Sequence, residues 1–429
     1  MKLIRSEPEA VKAALERRGA GAAVDELLEL DRTRRELLPQ VEDRRAQKKR
    51  VSAAIAGARR EGGDAEEAMA ESARLGTEIR SLEQELAGVE ERIQGLLGTL
   101  PNLPDPTAPE GDSEEDAMVV RVVGEPPELG FEPRDHLEIG TDLGLIDMER
   151  AARASGSRFA YLKGDLVRLE LALVQYALAK LAPRGFLPVV PPVLVREEPL
   201  FWTGFLPTDR AQIYEIGGDD LYLAGTSEVS LAALHAEDLL VEDRLPIRYA
   251  GFSTCFRREA GAAGRDTRGI FRVHQFDKVE MFSFVRPEDS RDEHERLLAI
   301  EEEILGDLDI PYRVVNVPAG DLGASAAKKY DCEAWLPGQG RYRELTSCSN
   351  TTDYQARRLR TRYRPAGGGS PRPVHTLNGT AVAVGRTIIA IMENHQTADG
   401  GVSVPQALAP FGAPDRLGAA SDETGRWCH

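Results

Sequence analysis

Residues 249–284 read YAGFSTCFRREAGAAGRDTRGIFRVHQFDKVEMFSF, and this stretch decides the fold. Two runs in it, 249–257 and 270–284, are rich in aromatic and β-branched residues, which are typical of strands. The segment between them, EAGAAGRDTRG, is made of Gly, Ala, Thr and charged residues and predicts a loop. The pattern therefore predicts a long hairpin within a largely antiparallel sheet.

An arginine and a glutamate of the same parity stand at the end of the first strand. Arg257 and Glu259 are two residues apart, so both point to one face of an extended chain. Such a pair could cradle an anion and a polar ring, or it could be a plain surface ion pair. The spacing alone leaves both interpretations open.

Polar side chains also stand at or within other predicted strands. Thr226 and Glu228 follow a short strand, Glu280 lies among apolar residues of the second hairpin strand, and residues 344–350 read ELTSCSN. Residues 379–386 predict a strand that ends in Arg386, with a helix over 387–394. A single carboxylate of this kind is more often a solvated acid than a ligand. Several arginines and carboxylates at strand ends of one sheet instead predict a site for a zwitterionic and a polyphosphorylated molecule.

The N-terminal hundred residues have a helical period. Eight apolar residues from Leu75 to Leu100 are spaced alternately by four and three, and residues 27–58 keep a looser version of this rhythm. Gly62 and Gly63 separate the two runs. We therefore expect an antiparallel hairpin of two helices, a coiled-coil arm about 50 Å long at 1.5 Å per residue.

Charge is segregated within this hairpin. Residues 31–60 carry ten basic and four acidic residues, whereas residues 61–91 carry ten acidic and two basic residues. The helices could simply pair their charges across the hairpin. Alternatively, a basic edge follows a phosphate backbone; its residues would be Arg44, Arg45, Lys48, Lys49 and Arg50.

Residues 101–117 contain four prolines and six acids, which predict a linker. The predicted domains are the arm over 1–100, the linker over 101–117 and a core over 118–429 with a short C-terminal tail. The chain of 429 residues has a net charge of −17, and its four cysteines form no C-x-x-C pair. With no run of 18 apolar residues and no secretory leader, we expect no zinc, no membrane span and a cytoplasmic location.

Nearly the whole chain resembles the seryl-tRNA synthetases of bacterial type, which are class II aminoacyl-tRNA synthetases. Residues 255–276 resemble motif 2 in its seryl form, residues 377–386 resemble motif 3, and residues 185–192 resemble motif 1. Residues 226–228 and 344–347 resemble the family's substrate and nucleotide segments, and the basic hairpin resembles its tRNA-binding arm. The resemblance implies an α+β fold, in which a helical arm precedes a mainly antiparallel sheet flanked by helices.

The resemblance also implies an activity and its residues. The activity is that of a homodimeric serine–tRNA ligase, which forms seryl-adenylate from L-serine and ATP and transfers serine to tRNA(Ser), and to tRNA(Sec) where present. Arg257 and Arg386 would be catalytic, and Glu344 and Ser347 would hold Mg²⁺ with the ATP. The implied serine-binding residues are Thr226, Glu228, Arg257, Glu280 and Thr380. The implied ATP-binding residues are Arg257, Arg258, Glu259, Arg272, Val273, Phe276, Glu344, Leu345, Thr346, Ser347 and Arg386.

Many relatives have Ser at the position of Thr380, so its extra methyl would narrow the amino-acid pocket. Two alternatives keep the same fold. One is an enzyme that passes activated serine to a carrier protein, which the intact basic arm disfavours. The other is a non-catalytic RNA-binding protein, which the presence of Arg257, Glu259, Glu280 and Arg386 disfavours.

Overall fold

The structure is a computed structural model that describes residues 1–260 and 268–418. The chain divides into a unit of residues Met1–Leu103 and a unit that begins at Pro104. Residues 261–267 of the predicted hairpin loop and the predicted tail lie outside the described residues. Among the described residues, no helix is both long and apolar enough to cross a membrane.

The N-terminal unit consists of two short helices followed by two long ones, and the long helices form the predicted antiparallel hairpin. Its four helices are α1 (Lys2–Ser6), α2 (Pro8–Glu16), α3 (Ala22–Arg60) and α4 (Glu66–Thr99). Ion pairs Arg34–Glu90 at 2.9 Å and Arg45–Glu83 at 2.7 Å join α3 to α4, and their descending partner numbers require antiparallel helices. The apolar seam is buried at Leu27, Leu30, Leu37 and Val41 of α3 and at Leu75, Ile79 and Ile93 of α4.

The second unit is built on an eight-stranded sheet. Its strands are β1 (Met118–Val123), β2 (Phe186–Val189), β3 (Ile247–Phe256), β4 (Gln275–Val285), β5 (Tyr312–Asn316), β6 (Lys328–Leu336), β7 (Arg341–Thr352) and β8 (His375–Ala383). They lie in the order β1-β5-β6-β7-β8-β4-β3-β2. Only β2 and β3 pair in parallel, so the prediction of a mainly antiparallel sheet is confirmed.

Helices and short strands surround this sheet. The helices are α5 (His136–Asp142), α6 (Met148–Ser155), α7 (Asp165–Leu181), α8 (Glu197–Thr203), α9 (Glu228–Ala233), α10 (Ser290–Asp307), α11 (Tyr354–Leu359) and α12 (Val384–Asn394). The short strands are Ile146–Asp147, Tyr161–Leu162, Leu194–Val195, Tyr214–Ile216, Leu221–Leu223, Leu239–Val241, Arg362–Arg364, Arg372–Pro373, Val402–Ser403 and Arg416–Leu417. Fully buried Leu169, Leu173, Met281, Leu297 and Ile388 belong to the main core, in which α7, α10 and α12 pack against strands of the sheet.

Several strand boundaries differ from the prediction. The first hairpin strand is Ile247–Phe256 and not 249–257, so Arg257 lies just beyond its end. The second hairpin strand begins at Gln275 and not at residue 270, because the backbone N–H groups of Ile270 and His274 donate to His136 and Arg158 outside the hairpin. Likewise, Arg386 lies in the first turn of α12 and not at the end of a strand.

Most of the predicted linker, from Pro104 onward, belongs to the second unit and bonds to its other residues. The N–H of Asp105 donates to the carbonyl of Ala327 at 2.8 Å, and the N–H of Gly320 donates to the carbonyl of Gly111 at 2.9 Å. The boundaries at 100 and 117 stay predictions.

Candidate active site

One cavity of the second unit collects nearly all of the predicted substrate residues. Residues of β4, β7 and β8, the first turn of α12 and the loop before α9 line it. The predicted residues among them are Thr226, Glu228, Arg257, Glu259, Arg272, Val273, Phe276, Glu280, Glu344, Leu345, Thr346, Ser347, Thr380 and Arg386. Arg258 does not line the cavity, and its backbone N–H donates to the carbonyl of Gln212 at 2.9 Å.

Alternate residues of β4 face the cavity. Phe276, Lys278 and Glu280 all line it, and Glu280 lies directly opposite Thr380 of β8. The Nζ of Lys278 donates to the Oγ1 of Thr226 at 2.9 Å, and the same ammonium forms an ion pair with Glu280. Lys278 was not among the predicted site residues. Its position two residues from both Phe276 and Glu280 could have indicated it, because alternate residues of a strand share one face.

Glu228 is buried and held by two amides. Its Oε1 accepts from the Nε2 of Gln355 at 2.7 Å and from the Nδ2 of Asn378 at 3.0 Å. Thr376 donates in turn to the Oε1 of Gln355 at 2.8 Å, which orients that amide. Burial raises the pKa of Glu228 to about 7, and the negative charge of Glu280 adds to the effect. A positive group brought beside this carboxyl would favour its ionised form, so the position suits an ammonium ligand.

Arg257 is fixed by both its backbone and its side chain. Its N–H donates to the carbonyl of His274 at 3.0 Å, and the Nδ1 of His274 donates to the carbonyl of Arg257 at 2.8 Å. The Nε of Arg257 donates to the carbonyl of Gly225 at 3.2 Å, and its guanidinium lies 5.2 Å from the ring centroid of Phe276. A preorganised cation of this kind can bind an anion without first being reordered.

Glu259 forms an ion pair with Arg272 and not with Arg257, its near neighbour in sequence. Its Oε2 accepts from the Nη1 of Arg272 at 2.7 Å, and both residues line the cavity. The interpretation of Arg257 and Glu259 as a surface ion pair is therefore wrong. The φ of Glu259 is +50°, a conformation that residues other than Gly rarely adopt and that occurs often at functional sites.

A β-bulge brings Glu344 and Ser347 to the same face of β7. Cys332 of β6 pairs with Thr346 and Glu333 pairs with Glu344, so Leu345 is the extra residue. In a regular strand, residues 344 and 347 would point to opposite faces. The bulge instead lets both line the cavity as a carboxylate and a hydroxyl oxygen, which are ligands that Mg²⁺ accepts.

Three cations keep Glu344 ionised. The Nη1 of Arg386 donates to the carbonyl of Glu344 at 2.9 Å and lies 3.4 Å from its Oε2. Burial alone would raise the pKa of Glu344, but the positive charges of Arg386, Lys329 and Arg257 outweigh it and lower the pKa to about 2. Sequence reasoning also missed Lys329, which lines the cavity and pairs with Asp331 at 3.1 Å. Residues 1–260 and 268–418 contain no group of three or more His, Cys, Asp or Glu that could hold a metal ion.

The basic edge of the arm is only partly neutralised by the opposite helix. Arg44 pairs with Glu78 at 3.1 Å and Arg45 with Glu83 at 2.7 Å, as the charge-pairing interpretation predicts. Lys49 and Arg50 are exposed and form no ion pair within the described part of the chain, so charge pairing across the hairpin accounts for only part of this edge, and its binding of a phosphate backbone stays a prediction.

Comparisons with known proteins agree with this architecture. Residues 1–104 match the family model of the seryl-tRNA synthetase N-terminal domain, and residues 213–395 match that of the tRNA synthetase class II core domain (G, H, P, S and T). A serine–tRNA ligase of Thermobifida fusca is 49% identical over 97% of this chain and 98% of its own length.

Solved structures agree as well. A seryl-tRNA synthetase from Pyrococcus horikoshii, complexed with ATP, aligns with a TM-score of 0.92 and 42% identity over 98% of this chain and 99% of its own. A cytoplasmic serine–tRNA ligase from Naegleria fowleri, in complex with AMP, aligns with a TM-score of 0.85 and 36% identity over 96% of this chain and 95% of its own. The chain belongs to the seryl-tRNA synthetase family, the serine–tRNA ligases.

Proposed function

We propose that this cavity carries out both steps of the serine–tRNA ligase reaction. A carboxylate oxygen of L-serine attacks the α-phosphorus of ATP, and the bond to the departing pyrophosphate breaks. A hydroxyl of the 3′-terminal ribose of tRNA(Ser) then attacks the carbonyl carbon of seryl-adenylate, and AMP leaves. The observation that supports this most is the meeting of two buried carboxyls, Glu228 and Glu280, with two arginines, Arg257 and Arg386, in one cavity.

The two arginines would bind the phosphates of ATP, and the two glutamates would bind serine. Arg257 would stabilise the charge that grows on the α-phosphate, and Arg386 would bind the phosphates that leave. Glu228 would bind the ammonium of serine, while Glu280 and Thr380 would bind its hydroxyl. No side chain is needed as a general base, because phosphoryl transfer can rest on positioning and electrostatic stabilisation.

ATP would lie along β7 and the start of β4. Glu259 would accept from the adenine amino group, Phe276 would stack on the ring, and Arg272 would contact a phosphate after releasing Glu259. Mg²⁺, when bound with ATP by Glu344 and Ser347, would neutralise charge between the phosphates.

The arm and the motif 1 segment would bind macromolecules. Lys49 and Arg50, as unpaired exposed cations, are the strongest candidates for phosphate contacts with tRNA(Ser), and with tRNA(Sec) where it exists. Leu187 is 60% and Val190 81% exposed, an apolar surface that burial in a homodimer would cover. We place the protein in the cytoplasm.

Serine-dependent exchange of pyrophosphate into ATP tests the first step. The wild-type protein should exchange with serine and hardly at all with alanine, because a pocket built for a hydroxyl leaves its own polar groups unpaired without one. A protein that exchanges with no amino acid would support the non-catalytic alternative.

A further inference from the structure

Helix α10 is attached to strand β7 by three hydrogen bonds. The Nδ2 of Asn350 donates to the carbonyl of Ser290 at 3.2 Å, and the Nε2 of His294 donates to the carbonyl of Cys348 at 3.0 Å. The third joins the Oγ1 of Thr346 to the Oε2 of Glu301 at 2.9 Å. Because residues 290, 294 and 301 are spaced by four and seven, they share one face of the helix.

The Glu301 carboxyl lies inside the core. The residue is 0% exposed, and its Oε1 has no hydrogen-bond partner among the residues that the structure describes. Gly379 of β8 makes room for it, because a Cβ at that position would lie 3.0 Å from the Oε1. No cation of the described chain forms an ion pair with this carboxyl.

These surroundings favour the neutral acid. Burial raises the pKa of Glu301 well above its ordinary value, and although the hydrogen bond from Thr346 lowers the pKa, the negative charges of Glu280 on β4 and Asp331 on β6 raise it further. Two buried thiols, Cys332 of β6 and Cys348 of β7, are the other titratable groups that interact with it. A protonated carboxyl both donates and accepts, so it can hold a threonine hydroxyl without placing a charge in the core.

The hydrogen bond between Glu301 and Thr346 connects helix α10 to residues 344–347, the predicted nucleotide segment. Thr346 is next to Ser347, which lines the cavity, and one residue beyond the bulge at Leu345 that turns Glu344 to the same face. We propose that Glu301 is a positioning residue: through its hydrogen bond to Thr346, it anchors the bulge of β7 and so fixes Glu344 and Ser347 for ATP. This inference rests on the proposed function of the cavity.

The test compares two replacements of similar size. Glu301→Gln keeps a neutral side chain that can bond to Thr346, whereas Glu301→Leu fills the space without a hydrogen bond. In Glu301→Leu, the Kd of ATP measured by calorimetry and its KM in pyrophosphate exchange should rise roughly five- to tenfold, the effect of one buried hydrogen bond. The KM of serine should change less than twofold, and Glu301→Gln should keep both ATP constants within about twofold of the wild type.

Two further variants separate positioning from a general loss of stability. Thr346→Val should weaken ATP binding as Glu301→Leu does, and the double variant should be no worse than either. Asn350→Leu cuts the bond at the far end of the same helix–strand contact, so it should lower the melting temperature without changing the Kd of ATP.

If the wild type is active, three results would overturn this inference and leave the proposed function of the cavity intact. They are normal ATP binding by Glu301→Leu, loss of ATP binding by Glu301→Gln, and equal losses of ATP and serine binding. A wild-type protein without serine-dependent exchange would overturn the proposed function and the inference with it.

Discussion

Glu280 of β4 and Thr380 of β8 are direct neighbours across an antiparallel strand pair, and both line the cavity. Such neighbours have Cβ atoms about 5 Å apart, so a carboxylate and a hydroxyl converge on one small volume. Lys278, on the same strand, forms an ion pair with Glu280. Glu280 and Thr380 therefore form a polar wall that fits the hydroxymethyl group of serine.

Replacing Glu280 should damage amino-acid selection. In the wild type, serine should be preferred over alanine by about four orders of magnitude, because alanine leaves this polar wall unpaired. Glu280→Ala should lower kcat/KM for serine and shrink the serine/alanine ratio in pyrophosphate exchange. Thr380→Ser keeps the hydroxyl and should keep the ratio. An unchanged ratio in Glu280→Ala would assign the serine hydroxyl to another residue.

Replacing Arg257 should slow activation. Arg257→Ala should lower the rate of pyrophosphate exchange by about two to three orders of magnitude, the effect of removing a preorganised charge beside a growing anion. The KM of serine should change little. Arg360→Ala removes an exposed arginine that pairs with Glu237 and should leave exchange unchanged. Normal exchange in Arg257→Ala would reduce that residue to a structural role.

Several of these residues could be placed from the sequence because they sit in contiguous motifs. The hairpin around Arg257 and the heptad seam from Leu75 depend on local patterns, and the structure has both. The bulge at Leu345 could not be predicted, because it depends on the register between β6 and β7. Lys278 was missed because a lysine between Asp277 and Val279 looks like a surface residue until the strand pairing buries it. The orientation of Thr346 toward Glu301 needed the helix packed behind the strand.

Serine use should depend on pH through Glu228. Because the pKa of this carboxyl in the free protein is raised to about 7, acidification below pH 7 protonates it and removes the charge that would bind the ammonium. We expect kcat/KM for serine to fall as the pH drops from 8 to 6, which steady-state exchange rates will measure. In Glu228→Gln, kcat/KM should be low throughout and lack this inflection; an inflection that persists there would belong to another group.

The titration of Glu228 should change the stability of the protein in the opposite direction from its effect on serine use. A raised folded-state pKa means that the native protein binds the proton more tightly than the unfolded chain between about pH 4.5 and 7. Glu228 therefore stabilises the fold below that window and loses the contribution as the pH rises through it. Denaturant unfolding of Glu228→Gln should show a smaller loss of stability over this window than the wild type shows.

Charge reversal on the arm should affect tRNA and not activation. The double variant Lys49→Glu/Arg50→Glu should weaken tRNA(Ser) binding, and the slope of log K against log salt should fall by about 0.7 to 0.9 for each lost contact. Pyrophosphate exchange should stay normal. The matched reversal Arg74→Glu/Arg80→Glu lies on the acidic helix α4 and should change tRNA binding much less. Equal losses in the two variants would mean that net charge, and not this edge, governs binding.

The most direct measurement is the transfer of radiolabelled serine to purified tRNA(Ser) by the wild-type chain with ATP and Mg²⁺. A serine–tRNA ligase should form an ester-linked, alkali-labile product on the tRNA and release AMP. A chain without residues 27–100, bridged by a short Gly/Ser linker, should retain serine-dependent exchange and lose most of this transfer. Exchange by the wild type without any serine on the tRNA would contradict the account and support transfer of serine to a carrier protein.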